Sequence, residues 1–255
     1  MLQDVFFRSM SFLPLCTTMA DACHSYKEHG AAVLACPSGN DEFVDAVAGL
    51  FRWCQEADRY MDNHPEHLKK LTRSDDPAET SLRYSLNDHR NQTYPEWQEM
   101  LAQVDKHVGN VICEIFSRRG RRSSYDVLCV GGDVVRPKCM IGQLLHGDGY
   151  SVRPEPADAG WCQYMVASIA VHKVDSQNAP LFFAGKQAMM SHFSNAPPEC
   201  CSDLGIEAGK CLVHMEPGDI LIRDPRVWHC GTPNYTDTTR YLPGIQFASC
   251  AAVAP

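Results

Sequence analysis

The sequence predicts a single, mainly β domain in which helices pack on one side of a jelly roll or antiparallel β-sandwich. Two amphipathic segments occur within residues 1–124, whereas the apolar runs of residues 125–250 are short and separated by Gly, Pro, Asn or Asp. The chain has 255 residues, of which 44% are hydrophobic, and this is enough to bury one core. We therefore expect a single domain over 1–255, with mainly helical support and loop in 1–124 and the β core in 125–250.

The first elements are a helix and a short strand. The residues from Thr17 to His29 have a loosely helical pattern, and Gly30 is a plausible C-cap before the apolar run at 31–35. A clearer helix follows, because its apolar residues recur every three, four or seven positions: Phe43, Val47, Leu50, Cys54 and Met61. Candidates for its N-cap are Ser38, Asn40 and Asp41.

Residues 63–91 are polar and contain two prolines, which predicts a long loop with one turn of helix at most. The histidines of this loop are expected to be solvated surface residues: His64, His67 and His89. Another helix should start near Pro95, with Thr93 and Glu96 in capping-box spacing and an apolar face that begins at Trp97. The cluster 118–122, Arg-Arg-Gly-Arg-Arg, is interpreted as a solvated turn, with a phosphate clamp as the alternative.

The β core is expected to consist of short apolar strands. The predicted strands lie near residues 125–130, 140–145, 163–171, 181–183, 211–215, 219–222 and 242–248. Pro243 and Gly244 interrupt the last of these, so we expect it to be an edge or bulged strand.

Composition restricts the possible partners. The formal net charge of −8 argues against a general nucleic-acid binder and favours a small-molecule partner. No apolar run approaches the ~20 residues of a membrane-spanning helix, and no signal peptide is visible, so a cytoplasmic protein is expected. The 13 cysteines are odd in number and form no Cys-x-x-Cys pair, which indicates reduced thiols; Cys230 and the pair Cys200-Cys201 are candidates for a functional thiol.

Three residues form a candidate metal site. His146 and Asp148 are separated by one residue, so on an extended segment they project to the same side. A remote histidine, His229, would complete a set of two histidines and one carboxylate, which is typical of non-haem Fe(II) oxygenases. His-x-Asp alone is a weak motif, and a histidine beside a tryptophan is more often a core residue.

An arginine follows at a suitable distance. Arg240 lies eleven residues after His229, which fits a strand end, a tight Gly-Thr-Pro-Asn turn and a return strand. Its guanidinium could hold a dicarboxylate in bidentate fashion behind the metal. A surface salt bridge is the alternative for this residue, but Arg240 opens an otherwise apolar strand.

Taken together, these residues resemble the phytanoyl-CoA dioxygenase family of Fe(II)/2-oxoglutarate-dependent oxygenases. The resemblance covers about residues 139–247 and rests on Gln143-Leu-Leu-His146-x-Asp148, Gly218-Asp219, Trp228-His229-x-Gly231-x-x-Asn234 and Arg240. It implies a double-stranded β-helix, a cupin-like jelly-roll barrel that uses Fe(II), 2-oxoglutarate and O2. It further implies that His146, Asp148 and His229 bind iron, and that Arg240 and Gln143 contact 2-oxoglutarate.

The resemblance also suggests contacts outside the metal-ligand set. Trp161 is a candidate for the wall of the cosubstrate pocket, and Tyr150, Arg153 and the 63–91 segment are candidates for substrate contacts. Where family members carry a further hydroxyl contact to 2-oxoglutarate, this chain has Asn178-Ala-Pro-Leu181 and then Ala184-Gly-Lys-Gln187, so that contact is lost and Lys186 has no assigned role.

The expected reaction is oxidation of a small metabolite, by hydroxylation or by desaturation or ring formation, with release of succinate and CO2. Asp148 disfavours halogenation, since related halogenases replace this carboxylate with a small residue. A catalytically silent jelly-roll binding protein and a zinc hydrolase are the two alternatives. A fatty acyl-CoA substrate has little support, because the chain ends in Ala-Val-Ala-Pro rather than in a peroxisomal tripeptide.

Overall fold

A computed structural model describes residues 11–67, 69–70, 82–117, 123–143, 146–148, 164–184 and 211–250. Within these ranges the protein consists of twelve strands in two sheets and three α-helices. The helices are Met19–His29 (α1), Asp41–Asn63 (α2) and Pro95–Ile115 (α3). The strands are Ser11–Phe12 (β1), Leu15–Cys16 (β2), Ala31–Leu34 (β3), Lys69–Lys70 (β4), Arg83–Ser85 (β5), Tyr125–Val135 (β6), Tyr164–Ile169 (β7), Leu181–Phe183 (β8), Cys211–Leu212 (β9), Ile220–Arg223 (β10), His229–Gly231 (β11) and Arg240–Ser249 (β12).

The larger sheet has eight strands in the order β2-β3-β10-β7-β12-β6-β5-β4, and the smaller has four in the order β1-β9-β8-β11. All neighbouring strands are antiparallel except the pairs β2/β3 and β1/β9, which are parallel. The mainly β architecture with flanking helices is therefore confirmed. The described strands form two sheets and do not close into a barrel.

The central strands of the larger sheet, β10, β7 and β12, are buried on both faces. Alternate residues of β10 belong to different clusters: Ile220 and Ile222 pack with the helices, whereas Leu221 packs towards the smaller sheet. This alternation follows from the two-residue period of a strand. Because both faces are covered, these strands are continuous apolar runs in the sequence rather than alternating ones.

Cap residues mark both ends of α1 and the start of α2. The side chain of Thr18 accepts a hydrogen bond from the N–H of Asp21 at the start of α1, and Gly30 ends the helix in the left-handed region at φ 73°. Asn40 is the N-cap of α2 and accepts from the N–H of Phe43. The capping box predicted for α3 is wrong, since Tyr94 is the N-cap residue and makes no side-chain cap bond.

The segment predicted as a long loop contributes to the larger sheet. Two 3₁₀ turns, Pro65–His67 and His89–Thr93, occur in or beside it, and β4 and β5 lie between them. The three residues of β5 are all buried and pair with β6. A strand this short between polar stretches has no detectable period, which explains why the sequence pattern did not indicate it.

Pro243 does not mark an edge strand. β12 pairs with β6 along its whole length and with β7 from Gly244 onward, so it lies inside the sheet. Pairing with β7 begins only after Pro243, so the missing N–H of this proline costs no bond to that strand. The irregularity of the strand lies at Gln246/Phe247 instead.

The tight hairpin expected between His229 and Arg240 is also not formed. His229 opens β11 in the smaller sheet, whereas Arg240 opens β12 in the larger one. The turn between them carries the chain from one sheet to the other, stabilised by Asn234, whose side-chain amide donates to the carbonyls of Val135, Arg136 and Thr238. Among the described helices, none combines the length and the apolar character that a membrane span requires.

Candidate metal centre

The candidate site lies where the 143–148 segment runs beside β11. His146 and His229 exchange two backbone hydrogen bonds, of 2.9 Å and 2.8 Å. On one side of this pair the N–H of Gln143 donates to the carbonyl of Gly231 at 2.8 Å, and on the other the N–H of Asp148 donates to the carbonyl of Pro225 at 2.7 Å. Backbone pairing thus brings together two histidines that are 83 residues apart in the chain (229 − 146).

His146, Asp148 and His229 each offer one ligand atom, and these atoms all lie within 4.8 Å of one another. The Nε2 atom of His146 is 3.7 Å from Oδ1 of Asp148, and the Nε2 atom of His229 is 3.6 Å from Oδ2. The His229 Nδ1–H donates to the carbonyl of Val227 at 2.7 Å, which fixes the ring and leaves Nε2 as the ligand atom. Three donors of this type suit a divalent transition metal with an open face.

Burial and nearby charges keep Asp148 ionised and His229 neutral, the forms in which they can bind a metal. Burial alone would raise the pKa of Asp148, but the positive charge of Arg223, together with the nearby histidines, lowers this pKa to about 2. Burial lowers the pKa of His229 to about 3, and the charge of Arg223 acts in the same direction. At neutral pH the carboxylate is therefore ionised and the His229 imidazole is neutral, as metal binding requires.

Arg240 is fully buried, with two donors that find no partner among the described residues. Its side chain is 1% exposed, and Nη1 donates to the carbonyl of Asp133 at 3.4 Å. The partnerless atoms are Nε and Nη2. These two N–H groups form one edge of the guanidinium and point in the same direction, which is the geometry that binds a carboxylate in bidentate fashion. Burial lowers the pKa of Arg240 to about 10, so it remains a cation at neutral pH.

A second buried arginine, Arg83, was not identified from the sequence. It belongs to β5 and is 1% exposed. Its Nη2 donates to the carbonyl of Thr232 at 2.5 Å and to that of Ile141 at 3.3 Å, so it ties the chain after His229 to the chain before His146. Burial lowers its pKa, while Cys139 and Asp133 oppose the shift.

Gly231 makes room for this arginine. A Cβ atom on Gly231 would overlap Nη1 of Arg83 and lie 2.8 Å from Oε1 of Gln143. The same Oε1 accepts a hydrogen bond from the Gly231 N–H at 2.8 Å, so the Gln143 side chain is fixed against β11. The glycine of the His229-x-Gly231 motif is thus explained by a close approach of side chains.

Two further charged residues of the site, Arg223 and Asp133, were also missed. Arg223 ends β10 and donates from Nη1 to Oδ2 of Asp148 at 2.7 Å. Burial raises the pKa of Asp133, while Arg240, Arg223 and Arg83 oppose the shift and Asp148 adds to it. The charges of three arginines and of Asp148 therefore act on the Asp133 carboxyl, so these groups belong to one charged region. The signal in the sequence is a single charged residue at an inward position of an apolar strand.

Other candidates lie outside the described residues, so their predicted roles remain predictions. These are Tyr150, Arg153, Trp161, Lys186, Cys200, Cys201 and the cluster 118–122. Cys230 lies within the described ranges on β11 and is partly buried.

The fold is shared with solved non-haem 2-oxoglutarate enzymes. The non-haem alpha-ketoglutarate-dependent carbocyclase SnoK from nogalamycin biosynthesis has 16% identity over 91% of this chain and 86% of its own, with a TM-score of 0.65. The corresponding epimerase SnoN has 12% identity over 90% and 80%, with a TM-score of 0.63. HygX from Streptomyces hygroscopicus, solved with nickel and 2-oxoglutarate bound, has 14% identity over 90% and 87%, with a TM-score of 0.56. No family model and no curated protein matches the sequence.

This likeness agrees with the resemblance to the phytanoyl-CoA dioxygenase family that the motifs indicate. At these identities it shows a common fold. Any inference about chemistry must come from the residues of this chain.

Proposed function

We propose that the protein is an Fe(II)- and 2-oxoglutarate-dependent dioxygenase that oxidises a small-molecule metabolite, on a scaffold of the double-stranded β-helix type. The observation that carries the proposal is the coincidence of two features in one charged region. A His-Asp-His cluster offers three metal ligands. Arg240, next to Asp133, offers a buried guanidinium that can bind a carboxylate through two N–H groups. Neither feature alone would distinguish this chemistry from a structural metal site or a buried ion pair.

The residues fit both groups that such an enzyme needs. Neutral imidazole and an ionised carboxylate are the ligands expected for a non-haem Fe(II) site. A buried guanidinium with two N–H groups that find no partner in the described part of the chain is costly unless an anion completes it, and the distal carboxylate of 2-oxoglutarate has the matching geometry. The iron, when bound, supplies the oxidative decarboxylation of 2-oxoglutarate to succinate and CO2 and the oxidation of the substrate.

The chain itself supplies position, orientation and a dry environment. His146, Asp148 and His229 would hold one face of the metal, and Arg240 would fix the far end of the cosubstrate. Phe183 stacks on His229 with ring centroids 5.9 Å apart, and His229 is 3% exposed. Gln143, held by Gly231, would contact the cosubstrate through its side-chain amide.

The substrate is expected to be a small metabolite, and the protein to be a soluble cytoplasmic enzyme. SnoK and SnoN are a carbocyclase and an epimerase of nogalamycin biosynthesis, so one scaffold serves several oxidative outcomes on small molecules. The carbocyclase supports ring formation as a candidate reaction, and hydroxylation and desaturation are the other candidates. A silent binding protein is less favoured because all four of His146, Asp148, His229 and Arg240 are retained. A zinc hydrolase would leave Arg240 without a task.

The direct test is the release of succinate from 2-oxoglutarate by the purified protein with added Fe(II) and ascorbate, in the presence of a library of small metabolites. We expect slow release without substrate, faster release with a compound that fits, and none for His146→Ala. Succinate release that is independent of iron, or unchanged in His146→Ala, would rule out the proposal.

A further inference from the structure

Arg223 forms an ion pair with a candidate metal ligand. It is the last residue of β10, in the larger sheet, and its Nη1 lies 2.7 Å from Oδ2 of Asp148. Asp148 follows the backbone bridge between His146 and His229, so the ion pair connects the larger sheet to the smaller one across the site. The Arg223 side chain is 12% exposed. Its Nε is buried and has no partner within the described part of the chain.

The two oxygens of the Asp148 carboxylate have different surroundings. Oδ2 receives the hydrogen bond from Arg223 and lies 3.6 Å from Nε2 of His229, whereas Oδ1 lies 3.7 Å from Nε2 of His146. The backbone of Asp148 is already fixed by its N–H bond to the carbonyl of Pro225. The side chain can still rotate about its own bonds, and the hydrogen bond from Arg223 to Oδ2 restrains this rotation.

A cation at this place has a cost for metal binding. Arg223 repels a divalent metal at the neighbouring ligands, since like charges at short range in a buried site interact strongly. Electrostatics alone therefore predicts that the metal binds better without Arg223. The benefit that offsets this repulsion has to be geometric, because a carboxylate that binds through both oxygens would occupy a position that cosubstrate or oxygen needs.

We propose that Arg223 is a positioning residue that retains Oδ2 of Asp148, so that the carboxylate presents Oδ1 alone to the metal. The inference rests on the proposed metal site. It assigns to Arg223 the task of keeping the coordination open on the face opposite the two histidines and the aspartate. The residue does not itself contact the reacting atoms.

The test is the affinity and the visible spectrum of Co(II), which reports on ligand number without turnover. Three forms are compared with the wild type: Arg223→Met, Arg223→Gln and, as a matched control, Arg226→Met. Arg226 lies three residues after Arg223 and makes a bidentate ion pair with Asp224. Its Nε–Oδ1 and Nη2–Oδ2 distances are 2.9 Å and 2.7 Å. The control therefore removes a similar ion pair that contains no metal-ligand candidate.

We expect Arg223→Met to bind Co(II) about tenfold more weakly, with a changed spectrum, as is usual when the partner of a ligand is removed. Arg223→Gln retains a donor and should lie between this variant and the wild type. Arg226→Met should bind Co(II) within about twofold of the wild type, even if both methionine variants unfold at lower temperature. If Arg223→Met does not fold, the test rests on Arg223→Gln, which should also bind Co(II) more weakly than the wild type and with a changed spectrum.

Unchanged or tighter Co(II) binding by the Arg223 variants, with an unchanged spectrum, would overturn the inference. That outcome is expected if Arg223 acts on the metal only through charge repulsion. Such an outcome in a protein whose wild type binds Co(II) leaves the proposed function intact. If the wild type binds no Co(II), the proposed function and this inference both fail.

Discussion

Arg83 and Arg240 lie on either side of Val135, because β5 and β12 both pair with this residue of β6. The next residues along the two strands, Tyr84 and Tyr241, both pair with Val134 and face the helices. Both tyrosine hydroxyls donate to the carboxylate of Asp58 on α2, Tyr241 at 2.8 Å. A single carboxylate behind the sheet therefore links the two strands that carry the buried arginines.

Asp58→Ala should be strongly destabilising. The variant leaves two tyrosine hydroxyls and the Arg136 guanidinium without their buried acceptor, and we expect a loss of about 3 kcal/mol in the free energy of unfolding. The control is Asp62→Ala, which removes the 53% exposed second partner of Arg136 and should cost less than about 1 kcal/mol. Urea unfolding measures both, and equal small losses would show that the bonds to Asp58 do not stabilise the fold.

Gly231→Ala should disturb the site from within. The added Cβ would overlap Nη1 of Arg83, which cannot move freely because its other nitrogen is bonded to the Thr232 carbonyl. We expect a loss of about 1–3 kcal/mol in stability. We also expect weaker binding of 2-oxoglutarate, because Gln143 is displaced.

Gly142→Ala is the control for this substitution, since its nearest contact, the Gly231 carbonyl, would be 3.3 Å away. It should cost less stability than Gly231→Ala and leave cosubstrate affinity nearly unchanged. The two variants would be compared by thermal unfolding and by calorimetric titration with 2-oxoglutarate. Equal losses of stability and of 2-oxoglutarate affinity in both variants would show that position 231 has no special need for glycine.

Arg240→Met should affect stability and cosubstrate binding in opposite directions. The methionine removes a buried cation with two N–H groups that have no partner among the described residues, so the free energy of unfolding without ligand should rise, by about 1 kcal/mol or more. Affinity for 2-oxoglutarate should fall by about 10- to 100-fold, because a charge-assisted bidentate pair contributes about 1.5–3 kcal/mol. Arg240→Lys should retain part of the affinity, since its ammonium cannot form the fork. A parallel loss of stability and affinity in Arg240→Met would contradict this account.

The stability of the protein should decrease in mild acid, partly through His172. Its Nε2 accepts the N–H of Tyr241 at 2.9 Å, and its Nδ1 lies 2.9 Å from the carbonyl of Lys173, so the neutral ring fits both bonds. Burial lowers the pKa of His172, whereas a backbone hydrogen bond to Lys173 opposes the shift. The unfolded chain therefore takes up a proton first, and stability present above about pH 6.5 is lost as the pH falls below it.

His172→Gln retains an acceptor and removes the titration. The slope of unfolding free energy against pH between pH 6.5 and 5 should be smaller than that of the wild type, by at most about 1.4 kcal/mol per pH unit. Chemical unfolding at several pH values measures this slope. Identical slopes in the two proteins would exclude a contribution from His172.

Much of the candidate site is visible in the sequence. His146 and Asp148 are separated by one residue, and His229 and Arg240 each stand in a short motif, so the combined motifs and the family resemblance they carry identified all four. Arg83, Arg223 and Asp133 could not be found in this way. Each is a single charged residue in a strand, and its inward position becomes clear only when the strand alternation and its neighbours are known.

The fold was predictable as a class but not in its connections. Cap residues such as Gly30 and Asn40 set helix ends through local hydrogen bonds, which the sequence indicates. Strand partners depend on contacts far along the chain. The chain therefore passes from β11 to β12 across two sheets where spacing favoured a hairpin, and Pro243 lies in an interior strand because its second neighbour begins at Gly244.

The most direct test of the central claim is calorimetric titration of 2-oxoglutarate into the protein without oxygen, with and without Fe(II). We expect one 2-oxoglutarate per chain, bound tightly only when iron is present. Affinity should be weakened at least about tenfold in Arg240→Met, and the iron dependence should be lost in His229→Ala. Absence of binding, or equal binding with and without iron in the wild type and both variants, would contradict the assignment of this site to iron and 2-oxoglutarate.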